Sequence, residues 1–135
     1  METTINDILI SDDKSRLQLD RICALLATTY WAQNRSRETI QTAIANSLCF
    51  GVYHNGEQIG FARCVTDGAT VYWLADVIID EHHRGKGIGK ALIQAVVGHE
   101  RLKNLTGILG TKDAHGLYEQ YGFHRDDGRL MRRPV

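Results

Sequence analysis

The sequence predicts an α/β (α+β) domain built on a mixed sheet, and three observations support this class. Two segments in the first third of the chain repeat apolar residues at helical spacing, and three consecutive β-prone segments follow them. The remainder alternates between helical and strand-like patterns. The chain has 135 residues, of which 43% are hydrophobic, so residues 1–135 are expected to form one domain around one core.

The N-terminal part is predicted to form one strand and two helices. Residues 5–10, INDILI, are apolar and β-prone, and residues 16–29 place apolar side chains three and four positions apart, as an amphipathic helix does. The polar stretch AQNRS interrupts this pattern. Ser36 is a preferred N-cap residue and precedes apolar positions at helical spacing, so a second helix is predicted to begin there.

The middle of the chain predicts an antiparallel meander of three strands. SLCFGVY and QIGFARCVT are joined by HNGE, in which Asn55 and Gly56 suit a hairpin turn with positive φ at both positions. Asp67 to Ala69 form a second turn signal, which leads into the long apolar segment TVYWLADVIID. Consecutive strands joined by such short turns are expected to pair with one another.

The C-terminal half is predicted to continue with a helix, a strand, a helix and a strand. A glycine-rich segment precedes the first helix, which ends near His99, and LTGILGT predicts a short buried strand. DAHGLYEQYG predicts the second helix, with Asp113 as its N-cap and Gly122 as the left-handed residue that ends it. FHRDDGRLMRR predicts a last hairpin through Asp127 and Gly128.

Charge and composition argue against several classes of protein. Lys plus Arg and Asp plus Glu number 16 each, so the net charge is zero and no global field favours nucleic acid or an anionic membrane surface. No apolar run reaches the roughly 18 residues of a membrane span, and the polar N-terminus is not expected to be a signal peptide. Cys23, Cys49 and Cys64 lack CxxC spacing, so free thiols in a reducing cytoplasm are expected, without a disulfide or a metal site.

The segment GKGIGK, residues 85–90, carries the strongest functional signal. Glycine loses more conformational freedom on folding than any other residue, so three at alternate positions are costly unless a ligand approaches the backbone closely. The segment lies between a predicted strand and a predicted helix, whose free N-terminal N–H groups attract anions. Arg84, Lys86 and Lys90 add positive charge, so a diphosphate site is predicted.

Other interpretations of this segment fit less well. A nucleoside triphosphate loop requires Ser or Thr after Gly-Lys, and Ala91 follows Lys90 here. A dinucleotide fingerprint has the spacing GxGxxG after an early strand, whereas these glycines alternate late in the chain. A turn without a ligand needs one or two glycines rather than three. A metal held by His82 and His83 is not favoured, because adjacent histidines point to different sides and no third ligand is evident.

Two motifs resemble signatures of the GNAT N-acetyltransferase family. The pattern Arg84-x-x-Gly87-x-Gly89 resembles the family's coenzyme A pyrophosphate loop, and DAHGLYEQYGF, from Asp113 to Phe123, resembles its A-x-x-[FL]-Y-x-x-x-G-F helix and strand. The motifs occur in the family's order, and the predicted element order is similar over nearly the whole chain. The resemblance implies an acetyl-CoA-dependent enzyme with a mostly antiparallel sheet that is splayed at its central strands and covered by helices on both faces.

The resemblance also implies where acetyl-CoA binds as cosubstrate, without a metal. The pantetheine arm would pair like a strand with the backbone of Val77, Ile78 and Ile79. Asp113 stands where many members have an asparagine near the pantetheine arm. The residues implied to hold the pyrophosphate are Arg84, Gly85, Lys86, Gly87, Ile88, Gly89 and Lys90.

The mechanism implied by the resemblance is direct attack of an amine on the thioester in a ternary complex. Tyr118 matches the family's tyrosine whose hydroxyl points at the sulfur, where it would protonate the leaving thiolate; packing in the core is the alternative. Asp76 is interpreted either as a general base with a raised pKa or as a structural hydrogen-bond partner. Tyr30, Trp31 and Arg35 fall in the family's acceptor-side segment, with helix-end packing as the alternative.

The acceptor is left open by the sequence. The family acts on antibiotics, polyamines, amino acids, peptides and protein N-termini, so a small-molecule or peptide amine is expected, with no nucleic acid or membrane partner. A monomer or a homodimer is expected. The rival hypothesis is a non-catalytic acyl-CoA-binding or interaction domain, which would keep the loop but not the chemistry; the presence of Tyr118 argues against it.

Overall fold

A computed structural model describes all 135 residues, which form one six-stranded sheet with helices on both faces. The strands follow one another across the sheet in chain order, and every neighbouring pair is antiparallel except the last, which is parallel. The elements are β1 (Glu2–Ile5), β2 (Ile8–Ser11), α1 (Leu19–Ala27), α2 (Arg37–Ala45), β3 (Leu48–His54), β4 (Glu57–Thr66), β5 (Val71–Ile79), α3 (Ile88–Val97), β6 (Thr106–Leu109) and α4 (His115–Glu119). None of the helices combines the length and the hydrophobicity that a membrane span requires.

The N-terminal segment differs from the prediction of one strand over residues 5–10. It forms the hairpin β1–β2, in which Ile5 pairs with Ile8 around a turn at Asn6 and Asp7. Asn6 has a φ of 56°, a left-handed conformation that asparagine tolerates better than most residues. The prediction missed the turn because Asn-Asp lies inside an otherwise apolar run.

The predicted helices and turns of the first two thirds are present. Ser36 caps α2 by accepting a hydrogen bond from the N–H of Thr39 at 3.1 Å, as expected for an N-cap serine. Helix α1 is shorter than predicted and spans nine residues. Asn55 and Gly56 both have positive φ in the turn between β3 and β4, which confirms the hairpin.

The C-terminal part departs from the prediction in three places. Strand β6 is not buried; its side chains are exposed or half-buried in alternation because it lies at the edge of the sheet. Ala114, not Asp113, is the N-cap of α4, and no side chain caps this helix. The predicted last hairpin is absent, since no strand follows β6. Its segment is mostly charged, and Leu130 and Met131 are exposed by 63% and 94%, so it has no apolar face to bury.

The apolar core has two parts, one on each face of the sheet. Helix α3 covers one face and α1 and α2 cover the other. Members of the α3-face cluster include Phe50, Val52, Leu74, Leu92 and Val96. Members of the cluster on the opposite face include Ile22, Leu26, Cys49, Phe61 and Ile78.

A β-bulge interrupts the pairing of β4 with β5. Phe61 pairs with Ile78, but Arg63 pairs with Ala75, so β5 has one residue more than β4 between these pairs. Within the bulge Asp76 has a φ of 56°. A bulge of this kind bends the strand and changes the direction in which the following side chains point.

The bulge moves Asp76 to the face covered by α1 and α2. Side chains alternate along a regular strand, so Asp76 and Ile78 would follow Leu74 onto the α3 face. Leu74 does pack on that face, whereas Ile78 packs in the opposite cluster. Asp76 therefore meets Arg63 on the face that α1 and α2 cover.

The sheet is open between β5 and β6. Strand β6 pairs only with the first four residues of β5, Val71 to Leu74. Beyond Leu74, no strand pairs with β5 on that side, so the backbone from Ala75 to Ile79 borders a gap. The sheet is thus splayed, as the resemblance implied, but between its last two strands rather than at its centre. The opening begins one residue before the bulge.

Candidate active site

The glycine-rich loop leads from the end of β5 into the N-terminus of α3. A single 3₁₀ turn, Glu81–His83, comes first, and Asp80 caps it by accepting a hydrogen bond from the N–H of His82 at 2.9 Å. Arg84 then anchors the loop by donating from Nε to the carbonyl of Ile79 at 3.0 Å. Helix α3 begins after Gly87, whose φ of 79° is left-handed.

The backbone of this loop is rich in free donors. None of the six N–H groups from Gly85 to Lys90 donates a hydrogen bond to another group of the chain; the first N–H of the helix that does so belongs to Ala91. Three of the six lie at a helix N-terminus, where the positive end of the helix dipole adds to their attraction for an anion. Such a row of free N–H donors suits an anion.

The glycines of the loop leave space above these donors. A Cβ atom added at Gly85, Gly87 or Gly89 would meet no heavy atom within 4 Å. Positions 85 and 87 favour glycine because their φ angles are positive. Gly89 lies within the helix and does not have a positive φ. A glycine in a helix costs up to about 1 kcal/mol relative to alanine. Neither the backbone nor the packing requires Gly89, so a group outside the chain explains it best.

The charges around the loop are positive and unpaired. Arg84, Lys86 and Lys90 are exposed, and none of them forms an ion pair with a carboxylate. His82 is exposed and His83 is half-buried. No group of three or more His, Cys, Asp or Glu side chains lies close enough together to hold a metal ion.

The three residues at the end of β5 lie on the open edge of the sheet. Val77 is half-buried, while Ile78 and Ile79 are buried by the clusters on opposite faces. Their side chains fix the strand, and their backbone borders the gap that begins after Leu74. An extended ligand that carries amide groups can pair with such an edge as an added strand does.

Tyr118 lies on α4, the last helix, and is half-buried. Its ring packs edge-on against Phe123, with 5.9 Å between the ring centroids, and its hydroxyl makes no hydrogen bond to the chain. Burial raises the pKa of Tyr118, and the nearby negative charges of Asp113 and of an ionised Tyr30 raise it further. The phenol is therefore protonated at neutral pH and lies close to the segment that holds Tyr30.

Asp76 is held between two arginines and a tryptophan. Its side chain is 2% exposed, and its two oxygens accept hydrogen bonds from three side chains. The donors are Trp31 Nε1 at 3.1 Å, Arg35 Nη1 at 2.7 Å and Arg63 Nε at 2.8 Å. Burial is the largest single effect on the pKa of Asp76 and would raise it, but the hydrogen bonds and charges of the two arginines together outweigh burial and lower it. The prediction of a raised pKa is wrong.

Arg63 is the residue of this network that sequence reasoning missed. It lies in β4, donates from Nη1 to the hydroxyl of Ser47 at 3.2 Å, and its side chain is 14% exposed. The signal in the sequence was an arginine within the apolar run GFARCV, where a charge needs a partner. That partner could not be identified as Asp76, because regular alternation places Asp76 on the other face.

The segment between α1 and α2 brings two aromatic side chains to this network. Tyr30 and Trp31 are 56% and 42% exposed and pack edge to face, with their ring centroids 5.0 Å apart. Lys112 places its Nζ 5.2 Å from the centre of the Tyr30 ring. The structure thus groups Trp31 and Arg35 with Asp76 through hydrogen bonds, and Tyr30 joins them by packing on Trp31.

Comparison with solved structures identifies the same fold elsewhere. A candidate acetyltransferase of the GNAT family from Xanthomonas campestris pv. campestris superposes with a TM-score of 0.91 at 40% identity, covering 98% of this chain and 96% of that chain. A GNAT family acetyltransferase from Elizabethkingia anophelis, solved with acetyl-CoA bound, has a TM-score of 0.70 at 20% identity and covers 91% of this chain and 80% of that chain.

Sequence comparison gives a consistent assignment. A Gibberella zeae protein named as a candidate acetyltransferase is 34% identical over 111 residues, which are 67% of this chain and 63% of that protein. The N-acetylaspartate synthetase of Danio rerio is 40% identical over 85 residues, 57% of this chain and 30% of that protein. The chain thus spans less than two thirds of the length of these relatives. The sequence model of the Acetyltransferase (GNAT) domain matches residues 45–125, more than half of the chain, so the chain belongs to the GNAT acetyltransferase domain family.

Proposed function

We propose that the protein transfers an acetyl group from acetyl-CoA to a primary amine. The observation that carries this proposal is the row of six free N–H groups at Gly85 to Lys90, beside the unpaired edge of β5. Coenzyme A has a diphosphate, which suits the free N–H groups, and next to it an arm with two amide groups, which suits the strand edge. The acetyl-CoA in the related Elizabethkingia anophelis structure supports the same donor.

The loop and the strand edge are proposed to bind different parts of acetyl-CoA. The pyrophosphate is held by the N–H groups of the loop and by Arg84, Lys86 and Lys90, whose charges are otherwise unpaired. The pantetheine amides pair with the backbone of residues 77–79, which lacks a strand partner on that side. Asp113 lies near Tyr118, and both are proposed to lie near the end of this arm.

The proposed reaction is direct attack, without an acyl-enzyme. The neutral amine nitrogen forms a bond to the thioester carbonyl carbon, the carbon–sulfur bond breaks, and the amine loses one proton while the thiolate gains one. Cys49 and Cys64 are unsuited as nucleophiles, because burial raises the pKa of these thiols to about 11 and about 12. A backbone N–H of the bulged region of β5 is proposed to stabilise the developing oxyanion.

Tyr118 is proposed as the acid that protonates the leaving thiolate. Its hydroxyl has no partner within the chain and is protonated at neutral pH because burial raises its pKa. A coenzyme A thiol resembles cysteine, with a pKa of about 8.5, so the thiolate is basic enough to accept a strong hydrogen bond or the proton. This interaction grows as charge develops on the sulfur, so it stabilises the transition state more than the bound thioester.

Asp76 is proposed to position the acceptor side of the site. A carboxylate whose pKa is lowered by two arginines is a weak base, so general-base catalysis by Asp76, directly or through water, is the less favoured of the two roles predicted for it. Its hydrogen bonds instead fix the indole of Trp31 and the guanidinium of Arg35 at the edge of the site. These two groups are free to contact an acceptor because they are only partly buried.

The test of the proposed function measures binding and chemistry separately. Calorimetric titration with acetyl-CoA is expected to give saturable binding, and a panel of primary amines is expected to yield free thiol and an acetylated product. Binding without thiol release by any amine would favour the rival hypothesis of a non-catalytic acyl-CoA-binding domain. Absence of binding would contradict both.

A further inference from the structure

The acceptor side of the site holds more cations than carboxylates. Arg35 and Arg63 share the single carboxylate of Asp76, and Lys112 lies over the ring of Tyr30. Lys112 and its chain neighbour Asp113 are both exposed, so their charges are exposed to solvent. Two guanidinium groups thus share one carboxylate in a partly buried place, where charges are screened less than at a surface.

Arg35 has hydrogen-bond donors that the fold does not use. A guanidinium has five N–H groups in a planar fork, and Arg35 donates only from Nη1, to Asp76. Its Nε and Nη2 donate to nothing in the chain, and its side chain is 28% exposed. Asp76 thus occupies one N–H group of the Arg35 guanidinium and leaves the donors on Nε and Nη2 free. Those free donors can bind a second carboxylate.

The carboxylate of Asp76, by contrast, is fully occupied by hydrogen bonds. Both oxygens of Asp76 already accept hydrogen bonds, from three donors in all, and the side chain is 2% exposed. A polyamine needs accessible carboxylates for the ammonium groups that do not react, and Asp76 cannot serve one without losing an arginine. The charges therefore favour an acceptor with a negative group over one with extra positive groups.

We infer that the acceptor is an amino acid or a similar amine that carries a carboxylate, which the free donors of Arg35 bind. Tyr30 and Trp31, both exposed beside Arg35, offer aromatic faces to the rest of the acceptor. This inference rests on the proposed function, since it names the substrate class of the same site. It assigns to Arg35 a binding role in addition to its ion pair with Asp76.

The experiment compares amino acids with their own carboxamides as acceptors. Glycine, L-phenylalanine and L-aspartate are each paired with the matching α-amide, with spermidine added, and kcat/KM is expressed per neutral amine because the amide lowers the amine pKa. A bound carboxylate is expected to favour the free acid in at least one pair by about 10- to 100-fold, the range of charge-assisted hydrogen bonds. Preference for the amides in every pair, or for spermidine, would overturn the inference.

Substitution of Arg35 tests whether this residue binds the carboxylate of the acceptor. Arg35→Met is expected to bring the acid and its amide to within a few-fold of each other, chiefly by raising KM for the acid, while acetyl-CoA affinity is unchanged. Arg35→Lys keeps the charge but not the fork, so an intermediate preference is expected. The matched control is Arg37→Met on the neighbouring helix, where an exposed arginine pairs with Asp20; it should leave the preference intact.

The outcomes separate this inference from the proposed function. Equal losses with acid and amide acceptors in Arg35→Met would mean that Arg35 only supports the fold, and the inference would be wrong. Thiol release with amines that show no acid preference would overturn the inference and leave the proposed function standing. No thiol release with any amine would overturn both.

Discussion

The carboxylate of Asp76 lies 2.8 Å from Nε of Arg63, on a face of the sheet that Asp76 reaches only because a β-bulge reverses the alternation of β5. The pairing of β5 with β6 ends at Leu74, so the gap between these two strands begins one residue before the bulge. One irregularity of the backbone thus both orients the Asp76 network and places it next to the proposed thioester site.

Asp76→Asn is expected to destabilise the protein by about 2–4 kcal/mol at pH 7, because two partly buried guanidinium groups lose the charge that balances them. Urea unfolding monitored by circular dichroism measures this difference as a lower midpoint. A change within experimental error would mean that water compensates the arginines and that the network contributes little to the fold.

The destabilisation by Asp76→Asn is also expected to depend on pH. The folded pKa of Asp76 is lowered from 3.8, so its contribution is fully present above about pH 4 and is lost as the pH falls through the lower folded value. The difference in free energy of unfolding between wild type and mutant should therefore shrink below pH 4. A difference that stayed constant down to about pH 2.5 would contradict the lowered pKa.

Gly89→Ala is expected to weaken acetyl-CoA binding by about 10-fold or more without destabilising the fold. Its Cβ would enter open space in the free protein, and alanine is the better helix former by up to about 1 kcal/mol. With ligand bound, the methyl group occupies the space proposed for the pyrophosphate. Calorimetric titration measures the affinity for acetyl-CoA, and thermal unfolding measures the stability. An unchanged affinity in a mutant whose melting temperature is equal or higher would contradict the proposal that this loop binds the pyrophosphate.

The three cysteines give a test of direct attack. Cys49 and Cys64 are buried, with pKa values raised to about 11 and about 12, and Cys23 is half-buried. A thiol reagent at about pH 8 is expected to label Cys23 at most in the folded protein and all three after unfolding. Labelling of Cys49 or Cys64 that abolishes turnover and is blocked by acetyl-CoA would indicate a thiol nucleophile and contradict the proposed mechanism.

The sequence predicted those features whose cause is local. The cap at Ser36, the turn at Asn55 and Gly56 and the glycine loop each depend on residues within a few positions of one another. The loop was singled out because glycines at alternate positions are costly unless a ligand approaches the backbone, and that ligand stays a prediction. Asp127 and Gly128 carried an equally good local signal for a turn, but the flanking residues lack an apolar face and no hairpin forms.

The Asp76 network could not be predicted because its cause is not local. Its three donors lie 45, 41 and 13 positions from Asp76 along the chain, and only the bulge brings Arg63 to the same face. Alternation in a regular strand would turn Asp76 to the α3 face, among apolar side chains, where burial raises a carboxyl pKa. The arginines reverse that expectation, since two nearby cations outweigh the effect of burial.

Tyr118→Phe is expected to lower turnover by about 10- to 1000-fold and to leave acetyl-CoA affinity within a few-fold of wild type. The change keeps the ring and its edge-on packing against Phe123 and removes only a hydroxyl that bonds to nothing in the chain, so the fold should be unaffected. The matched control is Tyr121→Phe, three residues further on and also half-buried, which should turn over at the wild-type rate.

The decisive measurement on Tyr118→Phe is single-turnover kinetics, in which the chemical step limits the rate. The proposed acid interacts with the leaving sulfur mainly in the transition state, so the loss should appear in the single-turnover rate and hardly in the concentration of acetyl-CoA that gives half the maximal rate. A thioester with a better leaving group needs protonation less, so the defect should shrink as the pKa of the leaving thiol falls. A mutant that retained the wild-type single-turnover rate, or a defect independent of the leaving group, would make Tyr118 a packing residue and remove general-acid catalysis from the mechanism.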